Sequence, residues 1–287
     1  NVIVNGGEDN DTLVVDSTGY THSFGSFYVR IDLENGISGN VGDSQLLSET
    51  GNTLISIENV EYTGPFSATI VGNDEDNIIT NLIVTDDANV WSEVRGNGGN
   101  DIINSGATSD DLYGGANDDT ITAGGGDDQV YGEGGNDKLI LNGVGTQLFD
   151  GGEGNDTLEA HVNDPEIWSP PNGLSQLHAN LLTGEAGVVM NEAMDFRDFA
   201  RLFVSLNNEE VEVFANEDII VSDTLISIEN VTYLTDIDVA LIGNELGNVL
   251  ITCAGDDYIG AGSGSNTMSG GSGNDVYYSD GTFQGQN

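Results

Sequence analysis

From Gly96 to Phe149 the chain reads GNGGNDIIN, SGATSDDLY, GGANDDTIT, AGGGDDQVY, GEGGNDKLI and LNGVGTQLF, six nine-residue units laid end to end. Their sixth positions are Asp101, Asp110, Asp119, Asp128, Asp137 and then Thr146; their eighth positions are Ile103, Leu112, Ile121, Val130, Leu139 and Leu148. One column is almost wholly carboxylate and the other wholly aliphatic. A fixed period of this kind is the signature of a repeat architecture and governs the reading of everything around it.

Working outward, one extra residue, Asp150, separates this block from GGEGNDTLE at Gly151, which puts Asp156 and Leu158 in the two columns. A second block runs from Gly243 to Tyr278 as GNELGNVLI, TCAGDDYIG, AGSGSNTMS and GGSGNDVYY, with Asn248, Asp257, Asn266 and Asp275 at the sixth positions. Single units stand at Gly6 (GGEDNDTLV, with Asp11) and Gly72 (GNDEDNIIT). The octapeptide TLISIENV occurs at Thr53–Val60 and again at Thr224–Val231, each copy followed by a Gly-Asn nonapeptide. The chain therefore reads as two tandem copies of one module. Residues 1–95 are expected to be degenerate coils with nonapeptides at 6–14 and 72–80, and 96–159 a repeat block. Residues 160–242 are expected to hold an insert and further degenerate coils, and 243–287 a C-terminal repeat block.

In each unit six residues rich in Gly, Asn and Asp favour a tight turn, because Gly adopts positive φ freely and Asn or Asp tolerates it. Three residues around a central aliphatic make a short strand with the middle side chain inward. Two units close one flattened coil, so residues 18 apart stack on parallel strands roughly 4.8 Å apart. The fold class expected is all-β: a parallel β-roll or β-helix solenoid with cations between turns, interrupted by longer irregular coils. Stacking places Asp101, Asp119 and Asp137 on one edge and Asp110 and Asp128 on the other. Unscreened charges at such spacing repel by about 1 kcal/mol in water and several times more at an effective dielectric near 20. A hard divalent cation reverses that sign, and Ca2+ suits the site because it takes six to eight oxygens from carboxylates and carbonyls in flexible geometry. Mg2+ demands tighter octahedral geometry.

The pattern GGxGxDxUx, with U aliphatic, resembles the calcium-binding nonapeptides of the RTX (repeats-in-toxin) family, also called hemolysin-type calcium-binding repeats. The resemblance implies a parallel β-roll with several Ca2+ ions held between successive turns, disorder before calcium is met, and export by a one-step secretion system. The ligands it implies are Asp101, Asp110, Asp119, Asp128, Asp137, Asp156, Asp257 and Asp275, with Asp11 in the isolated first unit and turn positions at Gly99, Gly126, Gly135 and Gly273. The pairings expected are Asp101/Asp119, Asp119/Asp137, Asp110/Asp128 and Asp257/Asp275, then Asp137/Asp156 across the break at Asp150. Thr146, Asn248 and Asn266 are neutral, so sites there are expected to be weak or empty. An EF-hand needs D-x-D-x-D-G with Glu at the twelfth position, and no segment supplies it.

Composition narrows the function. With 49 Asp+Glu against 5 Lys+Arg the formal charge is −44, which repels nucleic acid and anionic membranes. No run of about 18 apolar residues is present to insert in a bilayer as a helix. The start, Asn-Val-Ile-Val, lacks a signal pattern and reads as an excised or processed piece. Cys253 is the sole cysteine, which excludes an internal disulfide and a cysteine metal cluster.

Ninth positions Tyr113, Tyr131 and Phe149 are 18 apart and predict an aromatic ladder on one outer face. That ladder serves either stacking between strands or a contact with a glycan or protein partner. Asn191 to Leu206 carries Met194, Phe199 and Phe203 at helical spacing, with Arg197 and Arg201, and predicts a helix covering a flank. For catalysis there is no G-x-S-x-G and no H-E-x-x-H, and His22, His161 and His178 lie in separate segments. The function expected is a non-enzymatic, calcium-folded structural module of a larger secreted or cell-surface protein, able to assemble end to end. A carbohydrate- or protein-binding adhesin module and a polysaccharide lyase or epimerase are the alternatives.

Overall fold

A computed structural model of the chain describes residues 3–19, 28–41, 52–85, 87, 89–143, 147–161, 176–180, 185–190, 202–205, 218–226, 228–234, 239–243, 246–261, 264–279 and 282–283. Among these residues all regular structure is strand, gathered into sheets of twelve, ten and five strands. Successive nonapeptides deliver their strands alternately to two sheets. Trp91–Gly98, Ser109–Ala116, Gln129–Gly134 and Leu148–Asp150 lie in the largest, and Ile102–Ser105, Thr120–Thr122, Lys138–Leu141 and Thr157–His161 in the second.

The 18-residue register holds: Ile103 pairs with Ile121, and Leu112 with Val130, on parallel strands. Ile103, Leu112, Ile121, Val130 and Leu139 are fully buried between the sheets, which stabilises each coil by about 1.5–3 kcal/mol per aliphatic. The second block repeats the arrangement with Leu250 over Met268 and Ile259 over Tyr277.

The two TLISIENV copies are corners of the same solenoid. In the first, Asn52–Ile55 pairs in parallel with Ile3–Asn5, the chain turns at Ser56–Glu58, and Asn59–Gly64 pairs with Thr12–Asp16 in the other sheet. In the second, Thr224–Ile226 pairs with Leu148–Asp150, and Asn230–Leu234 with Thr157–His161. Between each GGExNDTL unit and its corner the chain leaves the coil for an antiparallel hairpin. Tyr28–Asp32 pairs with Ile37–Val41, and Gln176–Asn180 with Glu185–Met190. The irregular coils expected there thus contain ordered hairpins. In the first, Asp32 Oδ1 accepts the Asn35 N–H at 2.8 Å and Gly36 supplies a φ of 64°.

Four sequence expectations change. Val130 pairs with Phe149 and Gln129 with Leu148, so the extra residue lies in the turn before Leu148, and Asp150 belongs to the strand. Phe149, fully buried, takes the core place expected for Leu148 and does not join an aromatic ladder. Gln147, one residue before Leu148, holds the column place expected for Thr146, which lies outside the described residues. Lastly, Leu202–Ser205 is a strand paired in parallel with Val239–Ile242. The helix predicted over 191–206 fails there because the Leu-Phe-Val-Ser backbone bonds to a neighbouring strand; residues 191–201 lie outside the described residues.

Candidate metal centre

Along one edge of the repeat block the sixth-position carboxylate reaches back one coil. Asp119 Oδ1 accepts the Asp101 N–H at 2.7 Å, Asp137 Oδ1 that of Asp119 at 2.8 Å, and Asp156 Oδ1 that of Asp137 at 2.8 Å. Asp101 Oδ1 accepts the Asn77 N–H at 2.7 Å. The phase break therefore leaves the Asp137/Asp156 step intact. These four side chains are at most 2% exposed. Each uses Oδ1 in the ladder, while Oδ2 is buried and accepts no hydrogen bond.

The orphaned oxygens face a cradle made by glycine. A Cβ on Gly114 would fall onto Asp119 Oδ2 and the Gly132 carbonyl oxygen; on Gly132, onto Asp137 Oδ2 and the Gly151 carbonyl; on Gly96, onto Asp101 Oδ2 and the Gly114 carbonyl. Each cradle brings two oxygen acceptors together. Fourth-position residues Gly99, Gly126, Gly135 and Gly273 have φ between 100° and 153°, and a Cβ on any of them would strike backbone of the preceding coil. Only glycine permits that approach.

Burial raises the proton affinity of all four carboxylates in the file, and nearby acids add to it. Burial, together with Asp101, Asp137 and Asp118 nearby, pushes Asp119 up to about 8. Burial pushes Asp101 and Asp137 up to about 6 and raises Asp156. A stack in this state is neutralised either by protons or by a cation.

On the opposite edge Asp110 is built differently. The Asp110 N–H donates to Asp128 Oδ1 at 2.9 Å, so the expected pair stands in register. Asp110 itself is enclosed by hydroxyls: Oδ1 accepts from the Ser92 N–H and Oγ and from Thr108 Oγ1, and Oδ2 accepts from Ser105 Oγ. Both its oxygens are satisfied by protein, unlike those of Asp119. In the C-terminal block the Asp257 N–H donates to Asp275 Oδ1 at 3.2 Å, while Thr252 Oγ1 donates to Asp257 Oδ2 at 2.6 Å. Asn248 N–H donates to Asn266 Oδ1 at 2.8 Å, an uncharged step of the first ladder.

Two ladder residues escaped the sequence reading. Glu58 Oε2 accepts the Asp11 N–H, and Glu229 Oε2 the Asp156 N–H, each at 2.8 Å. Burial raises the Glu229 carboxyl, and the neighbouring Asp156 adds to it. The missed signal is in TLISIENV itself, where the acid stands two residues before a valine, as Asp stands before the aliphatic of a nonapeptide. Ser56, at the fourth position of that frame, has the positive φ, 49°, that glycine provides elsewhere.

On the outer face Tyr113 and Tyr131 stack with centroids 5.0 Å apart and planes 9° apart. Asp150, not Phe149, follows them in register. The Arg95 guanidinium lies 4.1 Å from the centroid of Tyr113, on the side away from Tyr131.

Among the described residues no three of His, Cys, Asp or Glu converge as a side-chain-only metal cluster. Backbone oxygens must complete any site on this edge. A model of the RTX calcium-binding nonapeptide repeat matches four copies, over residues 104–139, 143–161 and 242–281. The chain carries RTX repeats. It is therefore a calcium-binding repeat module with a parallel β-roll fold. A search of curated proteins found no match to the chain.

The residues present fit the ion. The RTX column offers hard oxygen donors alone, an unspent buried carboxylate oxygen at each of four successive coils, and glycine cradles that bare the next coil's carbonyl. Asp101, Asp119, Asp137 and Asp156, with the carbonyls of Gly114, Gly132 and Gly151, would hold calcium there. Its charge would replace the protons that otherwise neutralise the stack.

Proposed function

We propose that this RTX module is a non-enzymatic structural element of a larger secreted or cell-surface protein, folding when it meets calcium outside the cell and then acting as an extender or scaffold. The observation that carries this reading is the file of buried carboxylates from Asp101 to Asp156, each with one oxygen left over. In a low-calcium compartment, folding must either protonate that file or bury its charge, so the chain stays loose. Calcium binds the folded state alone and stabilises it by mass action, about 2.7 kcal/mol per site at a hundred times its Kd. The solenoid then becomes a stiff rod whose coils position whatever is attached at either end.

An adhesin role draws no support from the aromatic face, because Arg95 covers one side of Tyr113 and Tyr131 the other. A lyase or epimerase would need carboxylates free to exchange protons with substrate. The buried ones here each hold a backbone N–H in the ladder. Circular dichroism during a calcium titration tests the proposal: a cooperative gain of β signal, reversed by chelator, is expected. A chain equally folded in stripped buffer at neutral pH would overturn it.

A further inference from the structure

We infer that the two ISIEN corners, which lie outside the matched nonapeptides, form two additional cation sites, Asp11/Glu58 and Asp156/Glu229, that lock each hairpin excursion back onto the solenoid. This rests on the calcium-binding reading of the nonapeptide column and extends it to Glu58 and Glu229, which no nonapeptide contains.

The corners are the same object built twice. Asp11 donates its N–H to Glu58 Oε2, and its carbonyl receives the N–H groups of Glu58 and Asn59 at 3.2 and 3.0 Å. Asp156 donates to Glu229 Oε2, and its carbonyl receives those of Glu229 and Asn230 at 3.1 and 2.9 Å. Asn59 Oδ1 then accepts the Ile78 N–H at 2.8 Å, and Asn230 Oδ1 that of Val249 at 2.9 Å. In both copies the next rung is a neutral Asn, and Asn77 and Asn248 donate Nδ2 to the carbonyls of Glu58 and Glu229 at 2.7 and 2.8 Å. The run of acidic rungs thus ends at the glutamate in both copies, the Asp–Glu pair bridging a spacing of 47 residues in one copy and 73 in the other.

Hydrogen bonding alone does not call for that pair. A glutamine would accept the Asp156 N–H equally well and would not set a second carboxylate beside a buried one. Asp156 is wholly buried, and its Oδ2 has no partner. Asp11 Oδ2 is likewise buried and unpartnered, and a Cβ on Gly6 would fall on it and on the Ser56 carbonyl oxygen. The Ser56 carbonyl takes the place that the Gly132 carbonyl takes opposite Asp119. At the first corner the Asp11 carboxylate and the Ser56 carbonyl thus come together beside Glu58, and at the second Asp156 stands beside Glu229, each with no donor for the leftover Asp oxygen, a set of hard oxygens suited to a divalent cation. Such an ion joins segments separated by a long excursion, and a clip that closes a long loop offsets the most chain entropy.

The test is calcium stoichiometry by isothermal titration calorimetry on the wild-type chain and on Glu58→Gln, Glu229→Gln and the double variant. Glutamine keeps the acceptor for the ladder N–H and removes only the charge. Each single variant is expected to lose one ion, or at least tenfold in affinity at one site, and the double variant two, with the circular dichroism spectrum in saturating calcium unchanged. Unaltered stoichiometry and affinities in the double variant would overturn the inference while leaving the nonapeptide sites standing. A wild-type chain that takes up no calcium would instead overturn the function proposed above. Should a variant fail to fold, anomalous density from wild-type crystals grown with terbium decides: a peak between Asp156 and Glu229 supports the site, and its absence beside a filled Asp119/Asp137 step refutes it.

Discussion

Asp137 Oδ1 accepts the Asp119 N–H at 2.8 Å while Asp137 Oδ2, equally buried, accepts nothing. One oxygen of each column carboxylate thus serves the fold and the other is left for the ion. Replacing Asp119 with Asn separates these tasks, because the amide keeps the Oδ1 acceptor. The Asn77 rung shows that an amide can stand in this column, with Oδ1 accepting the Asn73 N–H and Nδ2 donating to the Glu58 carbonyl. Asp119→Asn is expected to keep the β spectrum, to gain stability without calcium, and to lose about 2–3 kcal/mol of the stabilisation that saturating calcium confers. Thermal melts with and without calcium check this. Equal calcium-induced shifts in variant and wild type would contradict it.

The same column sets a pH dependence of opposite sign in the two states. Folded, Asp101 and Asp137 lie near 6 and Asp119 near 8, all above the ordinary carboxylate value of 3.8. The calcium-free fold therefore binds more protons than the unfolded chain. Its stability is fully present below about pH 4 and is lost as pH climbs through 6 toward 8. Calcium competes with those protons, so its affinity rises over that window. Stripped protein should melt higher at pH 5 than at pH 8, and calcium-loaded protein should reverse the order. A stripped protein whose melting temperature rises with pH would sink this account.

Adjacent glycines offer a test of the turn geometry. Gly135 has a φ of 153°, and a Cβ there would strike the Asn117 carbonyl of the coil below. Gly134 would place its Cβ 3.8 Å from the Gly115 oxygen, an ordinary contact. Gly135→Ala is expected to cost about 1–3 kcal/mol or more, and Gly134→Ala under about 1 kcal/mol. Denaturant melts in saturating calcium measure both, and equal effects would contradict the close approach.

Stacking on the outer face makes its own demand. Tyr113 lies between Arg95 and Tyr131, so its ring stabilises neighbouring coils. A double-mutant cycle on Tyr113→Ala and Tyr131→Ala should show a coupling of about 0.5–1.5 kcal/mol. Loss of a glycan or protein contact without any coupling would restore the binding-face reading.

Much of this was legible because the column repeat is a backbone device. A turn that needs glycine, an acid and an inward aliphatic at fixed places writes itself into the sequence at the period of the coil. What stayed hidden depends on residues far apart in sequence or on a shift of phase. The hydroxyl enclosure of Asp110 draws on Ser92, 18 residues earlier and outside the repeat block, as well as on Ser105 and Thr108 of its own unit. Glu58 and Glu229 lack the glycine pair that marks the other turns, and the registers of Thr12–Asp16 with Asn59–Gly64 and of Thr157–His161 with Asn230–Leu234 place them in the column. The helical spacing of Met194, Phe199 and Phe203 misleads at Phe203, where pairing with Ala240 decides the backbone.

The phase slip before Leu148 yields the sharpest contrast between the sequence frame and the fold. An unbroken nine-residue count puts Leu148 in the core and Phe149 outside with Tyr131. The observed register reverses them: Phe149 packs beside Val130 with no exposed surface, Leu148 is partly exposed, and Asp150 follows Tyr131. A fully buried phenylalanine cut to alanine leaves a cavity its stacked neighbours cannot close, at about 3–5 kcal/mol. Phe149→Ala is therefore expected to lower calcium-saturated stability by that amount, and Leu148→Ala by about 1 kcal/mol or less. Chemical denaturation of the two variants in parallel measures the difference. If Leu148→Ala proves the costlier, the turn has not absorbed the extra residue, and the ladder step from Asp137 to Asp156 would have to be redrawn.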